Sequence, residues 1–446
     1  MRNKILGISI CLLLLLTTIP VVNGRTPQTS PLFSQDIQGD SSYLWKEQET
    51  HQVDQKIQEI IGKINETLVR NFIEYFVNEI GNRYTGTEGC ENAATYIHQQ
   101  FQTMGLQSAY QNWSAKGNSL LSDYFHGRNV IGTLPGTNPD EPIIFNAHYD
   151  TVKKTVGAVD DGSGTVGVLA AAFVLSQYTF KRTLEFITFS GEEQGTLGSH
   201  AYARDLYDHQ KPVMVEFNAD MIGKATSTTT GKTMRLSLTE DAGWIAGIME
   251  NLTTDYNLNF TIIRWQQIDR EAKSGWSDYH QFTQLGYESV VVWPAEWDPN
   301  MHTVRDDLSN VNISYLVNMT RHIAATIAIL ADIEIEYPQV SIAHPRFGKI
   351  FVNDQEQKTY RYRTPILIGE TNILAEVKPG SNPIDKVEFY DDNILLRTDT
   401  EEPFEYLLNT TSIGTHIMKI TAYDTMGRNA TDEMKILFIN LPKNQR

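Results

Sequence analysis

Apolar residues in the first part of the chain recur at helical spacing. From about Trp45 to Gln107 they return every three or four positions, as in Ile57, Ile60 and Ile64. That spacing places them along one face of an α-helix. The pattern therefore predicts two or three helices before the first strand.

The middle of the chain alternates short apolar runs with helical stretches, which indicates an α/β sheet flanked by helices. Because apolar runs that are bounded by turn residues are typical of buried strands, each one is taken as a strand of the sheet. The strands are expected at 142–146, 183–189, 213–218 and 287–293, and the helices at 164–177, 199–207 and 312–330.

Beyond Ala331 the pattern changes from helical spacing to strict alternation of apolar and polar residues, for example at 386–389 and 418–422. Pro338 and Pro345 mark a linker before this region. Alternation with turns between the runs predicts a small all-β sandwich, and residues 386–406 also resemble the immunoglobulin-like modules of many secreted hydrolases. This domain has no catalytic cluster, so we expect it to pack or to bind a surface or carbohydrate.

The N-terminus has the layout of a secretory signal peptide. Arg2 and Lys4 precede an apolar stretch, which is followed by Pro20 and small residues. An uncleaved N-terminal anchor is the alternative, because 5–22 is close to the length of a membrane span. After cleavage we expect no stable membrane insertion. The expected division is a signal peptide (1–24), a flexible leader (25–42), a mixed α/β domain (43–335) and an immunoglobulin-like domain (340–442).

Composition excludes some classes of partner. The chain has 37 basic against 54 acidic residues, a formal net charge of −17, so we expect no nucleic acid partner. Of its two cysteines, Cys11 lies in the signal peptide, which leaves Cys90 as an inert thiol. The expectation of a secreted glycoprotein is compatible with eight N-x-Ser/Thr sequons, at Asn65, Asn112, Asn251, Asn259, Asn312, Asn318, Asn409 and Asn429.

Candidate chemistry follows the predicted strands. His148 and Asp150 come at the end of the run 143–147, two positions apart, so one can bind a metal while the other orients it. Asp160 and Asp161 lie in a glycine-rich turn before a helix, where an aspartate can also be a simple cap. Taken singly, each signal is weak, since a strand-end histidine is more often an ordinary hydrogen-bonded residue.

Three further signals complete the pattern. Glu192 and Glu193 follow the strand 183–189, and adjacent carboxylates at a strand end point to opposite sides, so one can ligate a metal while the other reaches the water. A solvated acidic loop is the alternative. Asp220 ends another apolar run, where an unpaired carboxylate would be costly to bury. His302 lies in a loop after the last strand. Because open α/β sheets place their sites beyond the strand ends, the conjunction predicts a metal site.

This ordered set resembles the secreted di-zinc aminopeptidase family, which also contains glutamate carboxypeptidases, glutaminyl cyclases and transferrin receptors. The resemblance runs from about Gly81 to about Ala331, roughly two thirds of the chain, and its motifs are specific. The motifs are Asn146-Ala147-His148-Tyr149-Asp150, Asp160-Asp161-Gly162-Ser163-Gly164, Gly191-Glu192-Glu193, Asn218-Ala219-Asp220-Met221 and His302-Thr303.

The resemblance implies two zinc ions per chain. Asp160 would bridge both ions, His148 and Asp220 would complete one ligand set, and Glu193 and His302 the other. Three nitrogen or oxygen ligands on each ion leave an open position, as in catalytic zinc sites. The fold it implies is a mixed central sheet between helices.

The same resemblance assigns the remaining roles. Glu192 would be the general base, and Asp150 would support His148, as its spacing suggests. Asp278 and Tyr279 are candidate substrate contacts, with an N-cap at Ser277 as the equally weighted alternative. His280 is not expected to be a ligand.

The implied activity is that of a metallo-aminopeptidase acting on peptides with a free N-terminus. Three alternatives stay open: a glutaminyl cyclase with one zinc, a non-catalytic binding protein on the peptidase scaffold, and a di-metal hydrolase of other amides. The presence of both His148 and Asp220 favours two ions over one. Retention of all five ligands and the base favours an enzyme over an inactive scaffold.

Overall fold

A computed structural model describes residues 53–442, apart from 118–122, 139–140, 271, 273, 335–337 and 360–362. The expected signal peptide (1–24) and the whole expected leader (25–42) lie outside the described residues. In the described part there are eight α-helices: α1 (Gln55–Lys63), α2 (Glu66–Tyr75), α3 (Glu88–Thr103), α4 (Gly162–Leu175), α5 (Leu197–Asp208), α6 (Gly243–Asp255), α7 (Tyr279–Thr283) and α8 (Ile313–Asp332).

The first eight strands form one mixed sheet in the order β1-β2-β4-β3-β5-β8-β6-β7. Its four central strands, β4, β3, β5 and β8, are parallel neighbours, so their carboxyl ends share one edge. The strands are β1 (Gln107–Lys116), β2 (Tyr124–Leu134), β3 (Ile143–His148), β4 (Leu184–Phe189), β5 (Val215–Ala219), β6 (Thr233–Leu238), β7 (Thr261–Gln267) and β8 (Ser289–Pro294).

Helix starts follow from capping residues. The Asn65 side chain accepts a hydrogen bond from the Leu68 N–H (3.0 Å) at the start of α2, and Asn312 accepts one from Tyr315 (3.0 Å) at α8. Each cap satisfies an N–H that has no partner inside the helix. Within the described residues α8 is the one helix long and apolar enough to cross a membrane, but most of it is buried, as in a core helix.

The remaining strands form a β-sandwich with its own apolar core. A seven-stranded sheet has the order β11-β10-β12-β18-β17-β14-β15, and a three-stranded sheet has the order β16-β13-β9. The strands are β9 (Gln339–His344), β10 (Lys349–Val352), β11 (Gln355–Thr359), β12 (Ile366–Ile368), β13 (Thr371–Lys378), β14 (Ile384–Asp391), β15 (Ile394–Asp399), β16 (Glu405–Leu408), β17 (Ser412–Asp424) and β18 (Asn429–Asn440).

Among the contacts between the sandwich and the α/β domain are two hydrogen bonds to helix ends. The Tyr207 hydroxyl of α5 donates to the Phe347 carbonyl (2.8 Å), and the Arg363 guanidinium donates to the Thr283 carbonyl at the end of α7 (2.7 Å). The Arg363 guanidinium also lies 3.7 Å from the centre of the Phe347 ring. Both contacts reach helices whose other ends are near the candidate site.

The predicted fold class, a mixed α/β sheet between helices followed by a β-sandwich, is confirmed. The four central strands and the helices α4, α5 and α8 begin and end within two residues of the predicted positions. The pattern did not predict β1 and β2, nor the outer strands β6 and β7 with helix α6. The exact domain limits stay a prediction.

Candidate metal centre

The edge shared by the central parallel strands carries the candidate ligands. His148 is the last residue of β3, and Asp220 follows β5 directly. Glu192 and Glu193 come three and four residues after β4 ends. His302 lies in the loop after β8. The structure therefore brings the residues predicted from sequence to one edge of the sheet.

The first group of ligand atoms is formed by His148, Asp160 and Asp220, all buried. The Nε2 atom of His148 lies 3.4 Å from Asp160 Oδ1 and 4.0 Å from Asp220 Oδ1. One ligand atom from each residue lies within 4.8 Å of the others. This is close enough for one metal ion to contact all three.

The second group is formed by Asp160, Glu193 and His302. The Nε2 atom of His302 lies 3.1 Å from Asp160 Oδ2 and 3.1 Å from Glu193 Oε2. Asp160 thus directs one carboxylate oxygen to each group. A carboxylate shared in this way is the arrangement needed to bridge two metal ions.

Glu192 and Asp150 adjoin the first group. Glu192 Oε2 is 3.9 Å from His148 Nε2. Asp150 accepts hydrogen bonds from the backbone N–H groups of Glu192 (3.1 Å) and Glu193 (3.3 Å), so it fixes the start of that loop. On the other side, His148 Nδ1 lies 3.2 Å from the Asp150 carbonyl and 3.6 Å from its carboxylate. Asp150 therefore contacts both the histidine and the glutamate loop.

The turn that presents Asp160 needs a glycine and an outside acceptor. Gly157 has φ +54°, and a Cβ there would lie 2.3 Å from the Asp160 carbonyl oxygen. The Asp306 carboxylate accepts hydrogen bonds from the N–H groups of Val159 (2.7 Å) and Asp160 (3.0 Å). No role for Asp306 was predicted from the sequence. Its only signal was its place in an acidic pair shortly after His302.

Arg83 supports the same turn from beneath. Its guanidinium is fully buried and donates to the backbone carbonyls of Tyr149 (2.6 Å), Val156 (2.5 Å) and Gly157 (2.9 Å). Burial lowers the pKa of Arg83 to about 10, so the side chain keeps its charge at neutral pH. Arg83 stood in the stretch that carried the family resemblance, but its part in the site was not predicted.

The electrostatics of the cluster fit divalent cations. Burial raises the pKa of Glu193 to about 7 and that of Asp220 to about 6, and it raises the pKa of Glu192 well above its usual range. The hydrogen bonds to Asp160 and then to Glu193 raise the pKa of His302 to about 10. In the described part of the chain, the ion pairs that these carboxylates form are all with histidine.

One atom provides a direct test of the fit. The Oε1 atom of Glu193 is buried and has no hydrogen-bond partner among the described residues. A buried carboxylate oxygen without a donor is unfavourable unless a cation contacts it. The donor set, imidazole nitrogens with carboxylate oxygens and three residues per group, is one that suits zinc. The residues present therefore fit the metal that the sequence resemblance implies.

The two predicted substrate contacts differ in exposure. Asp278 is fully buried, and its carboxylate has no hydrogen-bond partner among the described residues. Burial raises its pKa to about 7. Tyr279 begins α7 and is half-buried. The Ser277 side chain does not cap the helix, and neither does that of Asp278. Substrate contact by Asp278 and Tyr279 stays a prediction.

A cluster of aromatic residues includes Trp297, which lies five residues before His302 in the same loop. Trp276 and Trp297 are 59% and 44% exposed, and their ring centres lie 5.8 Å apart. Trp265 and the buried Trp293 extend the cluster, each within 6.1 Å of the Trp297 ring. Exposed tryptophans of this kind form an apolar surface that an aminoacyl side chain can contact.

The fold and the cluster together define a class of protein. A central parallel sheet that holds two adjoining imidazole and carboxylate groups, with a further carboxylate beside them, is typical of a metal-dependent hydrolase. Two family models match the chain. Residues 129–327 match peptidase family M28, and residues 338–422 match a bacterial Ig domain.

Three known proteins illustrate the likeness. Leucine aminopeptidase 1 of Arthroderma gypseum is 27% identical over 268 residues, which are 56% of this chain and 70% of that protein. A zinc aminopeptidase from Bacillus subtilis has TM-score 0.52 at 17% identity and covers 60% of this chain and 96% of its own. The glutaminyl cyclase of Porphyromonas gingivalis has TM-score 0.51 at 18% identity and covers 59% of this chain and 97% of its own.

The α/β domain is thus similar to peptidase family M28 over residues 129–327, and the β-sandwich is similar to a bacterial Ig domain over residues 338–422. The chain is a hydrolase of the aminopeptidase class. The two structural likenesses, at 17% and 18% identity, show the fold alone.

Proposed function

We propose that the chain hydrolyses the N-terminal bond of peptides with two zinc ions, a nucleophilic water and Glu192 as general base. The observation that carries the proposal is the shared carboxylate. Asp160 directs one oxygen to His148 and Asp220 and the other to Glu193 and His302. Two adjoining ligand groups with a common aspartate suit a pair of ions better than a single one.

Zinc is the proposed metal because the ligands are imidazole and carboxylate and each group has three of them, which leaves room for substrate or water. When bound, the two zinc ions would supply Lewis acidity for the scissile carbonyl and for water, and a contact for the free α-amino group. His148, Asp160 and Asp220 would hold one ion. Asp160, Glu193 and His302 would hold the other.

Glu192 is placed to move the proton. Its carboxylate lies beside His148 and outside both three-residue groups. Burial raises the pKa of Glu192, which makes the carboxylate a stronger base than an exposed glutamate. In the proposed reaction Glu192 takes a proton from the attacking water and returns it to the leaving amine. Asp150 holds the Glu192 backbone and His148 in place.

A substrate screen tests the activity. Aminoacyl fluorogenic amides, the same amides with blocked N-termini, and N-terminal glutaminyl peptides are offered before and after chelation and zinc return. We expect release from free aminoacyl amides alone, lost with the chelator and restored by zinc. Turnover of blocked substrates, or cyclisation of the glutaminyl peptide instead of hydrolysis, would show a different reaction on this fold.

A substitution tests the base. Glu192→Gln keeps size and hydrogen-bonding capacity, so we expect zinc content to be retained while kcat falls by about 10² to 10⁴-fold. Glu74→Gln, at an exposed glutamate of α2, is the matched control and should leave kcat unchanged. Near-normal turnover by the Glu192→Gln variant would contradict the proposed mechanism.

Metal stoichiometry separates the proposal from its main alternative. We expect about two zinc ions per chain, and a single ion would favour the one-zinc cyclase reading. A non-catalytic scaffold would bind metal without turnover in the screen. The site offers no observation that favours either alternative, because both ligand groups are complete.

The proposal extends to the rest of the chain. We propose that residues 1–24 are removed on export, that 25–42 form a leader, and that an enzymatic domain of 43–335 precedes an immunoglobulin-like domain of 340–442. The exported protein would act on peptides outside the cell, with its C-terminal domain on a surface or carbohydrate. N-terminal sequencing of the secreted protein, with its intact mass, tests cleavage and any glycosylation.

A further inference from the structure

Two loops carry ligands of different groups, and a buried ion pair joins them. The Lys224 ammonium, four residues after Asp220, lies 3.0 Å from Oδ1 of Asp298, four residues before His302. The side chains of Lys224 and Asp298 are 6% and 0% exposed. Asp160 is the only residue the two ligand groups have in common, so this pair is a separate connection between their loops.

Asn310 completes the contact. It accepts a hydrogen bond from the Lys224 ammonium and donates one to the Asp298 carboxylate. Asn300, two residues before His302, donates its backbone N–H to Asp298 Oδ1 (3.0 Å) and its side-chain amide to Asn310 (3.2 Å). Asp298 therefore fixes the backbone immediately before the histidine.

Of the two ligands whose loops this ion pair joins, His302 is the one whose position depends on the pair. The His302 side chain is 46% exposed and its backbone has φ +62°, so packing against a core does not hold the ring. Its loop is otherwise a series of turns, with further long-range attachments at Glu296, whose carboxylate accepts hydrogen bonds from Thr226 (2.5 and 3.0 Å), and at Asp306. The long-range attachments that flank the imidazole most closely along the chain are Asp298, four residues before it, and Asp306, four residues after it.

Asp220 is held by other means. It follows a central strand directly, and its backbone N–H donates to the Val292 carbonyl (3.4 Å). The next residues are fixed by the Asp161 carboxylate, which accepts from the Met221 N–H (3.0 Å), and by Ser163, which accepts from Gly223 (3.0 Å). Loss of Lys224 leaves these contacts in place.

We infer that the Lys224–Asp298 ion pair is a positioning device for His302 and sets the affinity of one metal ion, the ion of the Asp160, Glu193 and His302 group. This inference rests on the proposed two-zinc function. A buried lysine that loses its partner, or the reverse, is strongly unfavourable. Substitution therefore displaces the loop rather than leaving it in place.

Zinc affinity, measured without any enzymatic turnover, tests this inference. Apoprotein is titrated with zinc against a chromophoric chelator, and melting temperatures of the apo and zinc forms are measured in parallel. For Lys224→Met we expect one zinc to bind about tenfold or more weakly, with the other within about twofold of the wild type. Lys224→Arg, which keeps the charge, should restore most of the affinity. Lys232→Met, at an exposed lysine, is the control.

The same substitution in a His302→Ala protein shows which of the two ions is affected. In His302→Ala only the first group is complete, and adding Lys224→Met should leave its remaining zinc within about twofold. Normal affinity for both ions in Lys224→Met, an equal loss of both, or a further loss in the His302→Ala background would overturn the inference. If Lys224→Met does not fold, Asp298→Asn is judged by the same criteria. A wild type that binds one zinc would instead overturn the proposed function.

Discussion

The carboxylate of Asp306 accepts a hydrogen bond from the backbone N–H of Asp160, the residue common to both ligand groups, at 3.0 Å. A second bond from Val159 (2.7 Å) uses the other carboxylate oxygen. Asp306 comes four residues after His302, so one short loop supplies a ligand and also fixes the backbone of another. The two ligand groups are therefore mechanically linked through that loop.

Asp306→Ala should weaken metal binding without unfolding the protein. It removes both acceptors from the Asp160 turn, and outer contacts to metal ligands are typically worth 10 to 100-fold in affinity or activity. Zinc affinity by chelator competition and kcat measure the effect. Asp307→Asn is the control, because that carboxylate bonds Ser309 instead. Equal loss in both variants would show a general disturbance of the loop.

The sequence was sufficient to predict the candidate site residues that follow strands. His148, Glu192, Glu193 and Asp220 could be found because each ends or follows an apolar run, and parallel strands bring such ends together. The sheet edges were not predictable in the same way. Strand β1 is polar and largely exposed, so its pattern does not separate it from a loop.

The supporting residues could not be predicted because their partners are distant in sequence. Lys224 and Asp298, or Arg83 and the carbonyls of Val156 and Gly157, meet only when the chain has folded. A charged residue alone gives no sign of which backbone groups it will contact. The sequence thus predicts the ligands, whose types and order are constrained by chemistry, better than the contacts that hold them.

Arg83→Met should destabilise the folded protein. It removes the donors to the buried carbonyls of Tyr149, Val156 and Gly157, and each buried acceptor without a donor costs about 1 to 3 kcal/mol. We expect the free energy of unfolding to fall by roughly 3 kcal/mol or more. Urea unfolding of the apo forms measures it. Lys153→Met, at an exposed position in the same loop, should differ little from the wild type, and a comparable loss there would contradict the assignment.

The buried residue His322, which is outside both ligand groups, should make the stability of the protein depend on pH. This residue of α8 is fully buried beside Thr253 and Phe260, and burial lowers its pKa to about 4. The folded state keeps it neutral, whereas the unfolded state binds a proton below about pH 6.5. The contribution of neutral His322 to the free energy of unfolding is therefore fully present above pH 6.5. It is lost as the pH falls towards 4, by ~1.4 kcal/mol per pH unit.

Urea unfolding of the apoprotein at pH 7, 6 and 5 measures that dependence. Glutamine at position 322 retains a hydrogen-bonding group for Thr253 but does not titrate. The decline in the free energy of unfolding should therefore be shallower in His322→Gln than in the wild type. Identical slopes would show that other groups cause the loss at low pH.

The Ig domain should contribute to the cleft as well as to stability. Arg363 donates to the Thr283 carbonyl at the end of α7, and α7 begins at Tyr279, a predicted substrate contact. Arg363→Ala removes this contact to a helix of five residues, so we expect KM to rise more than kcat falls, with zinc content unchanged. Steady-state kinetics on an aminoacyl amide and metal analysis measure both.

Arg397→Ala is the matched control for the same prediction, because Arg397 lies on the sandwich and pairs with Asp399 within it. It should change neither KM nor kcat. Truncation before Pro338 removes the Arg363 contact together with the Tyr207 bond to Phe347, so it should raise KM at least as much and also lower the melting temperature. A truncated protein with unchanged KM would show that α7 is held by the α/β domain alone, and the sandwich would then act only as a separate module.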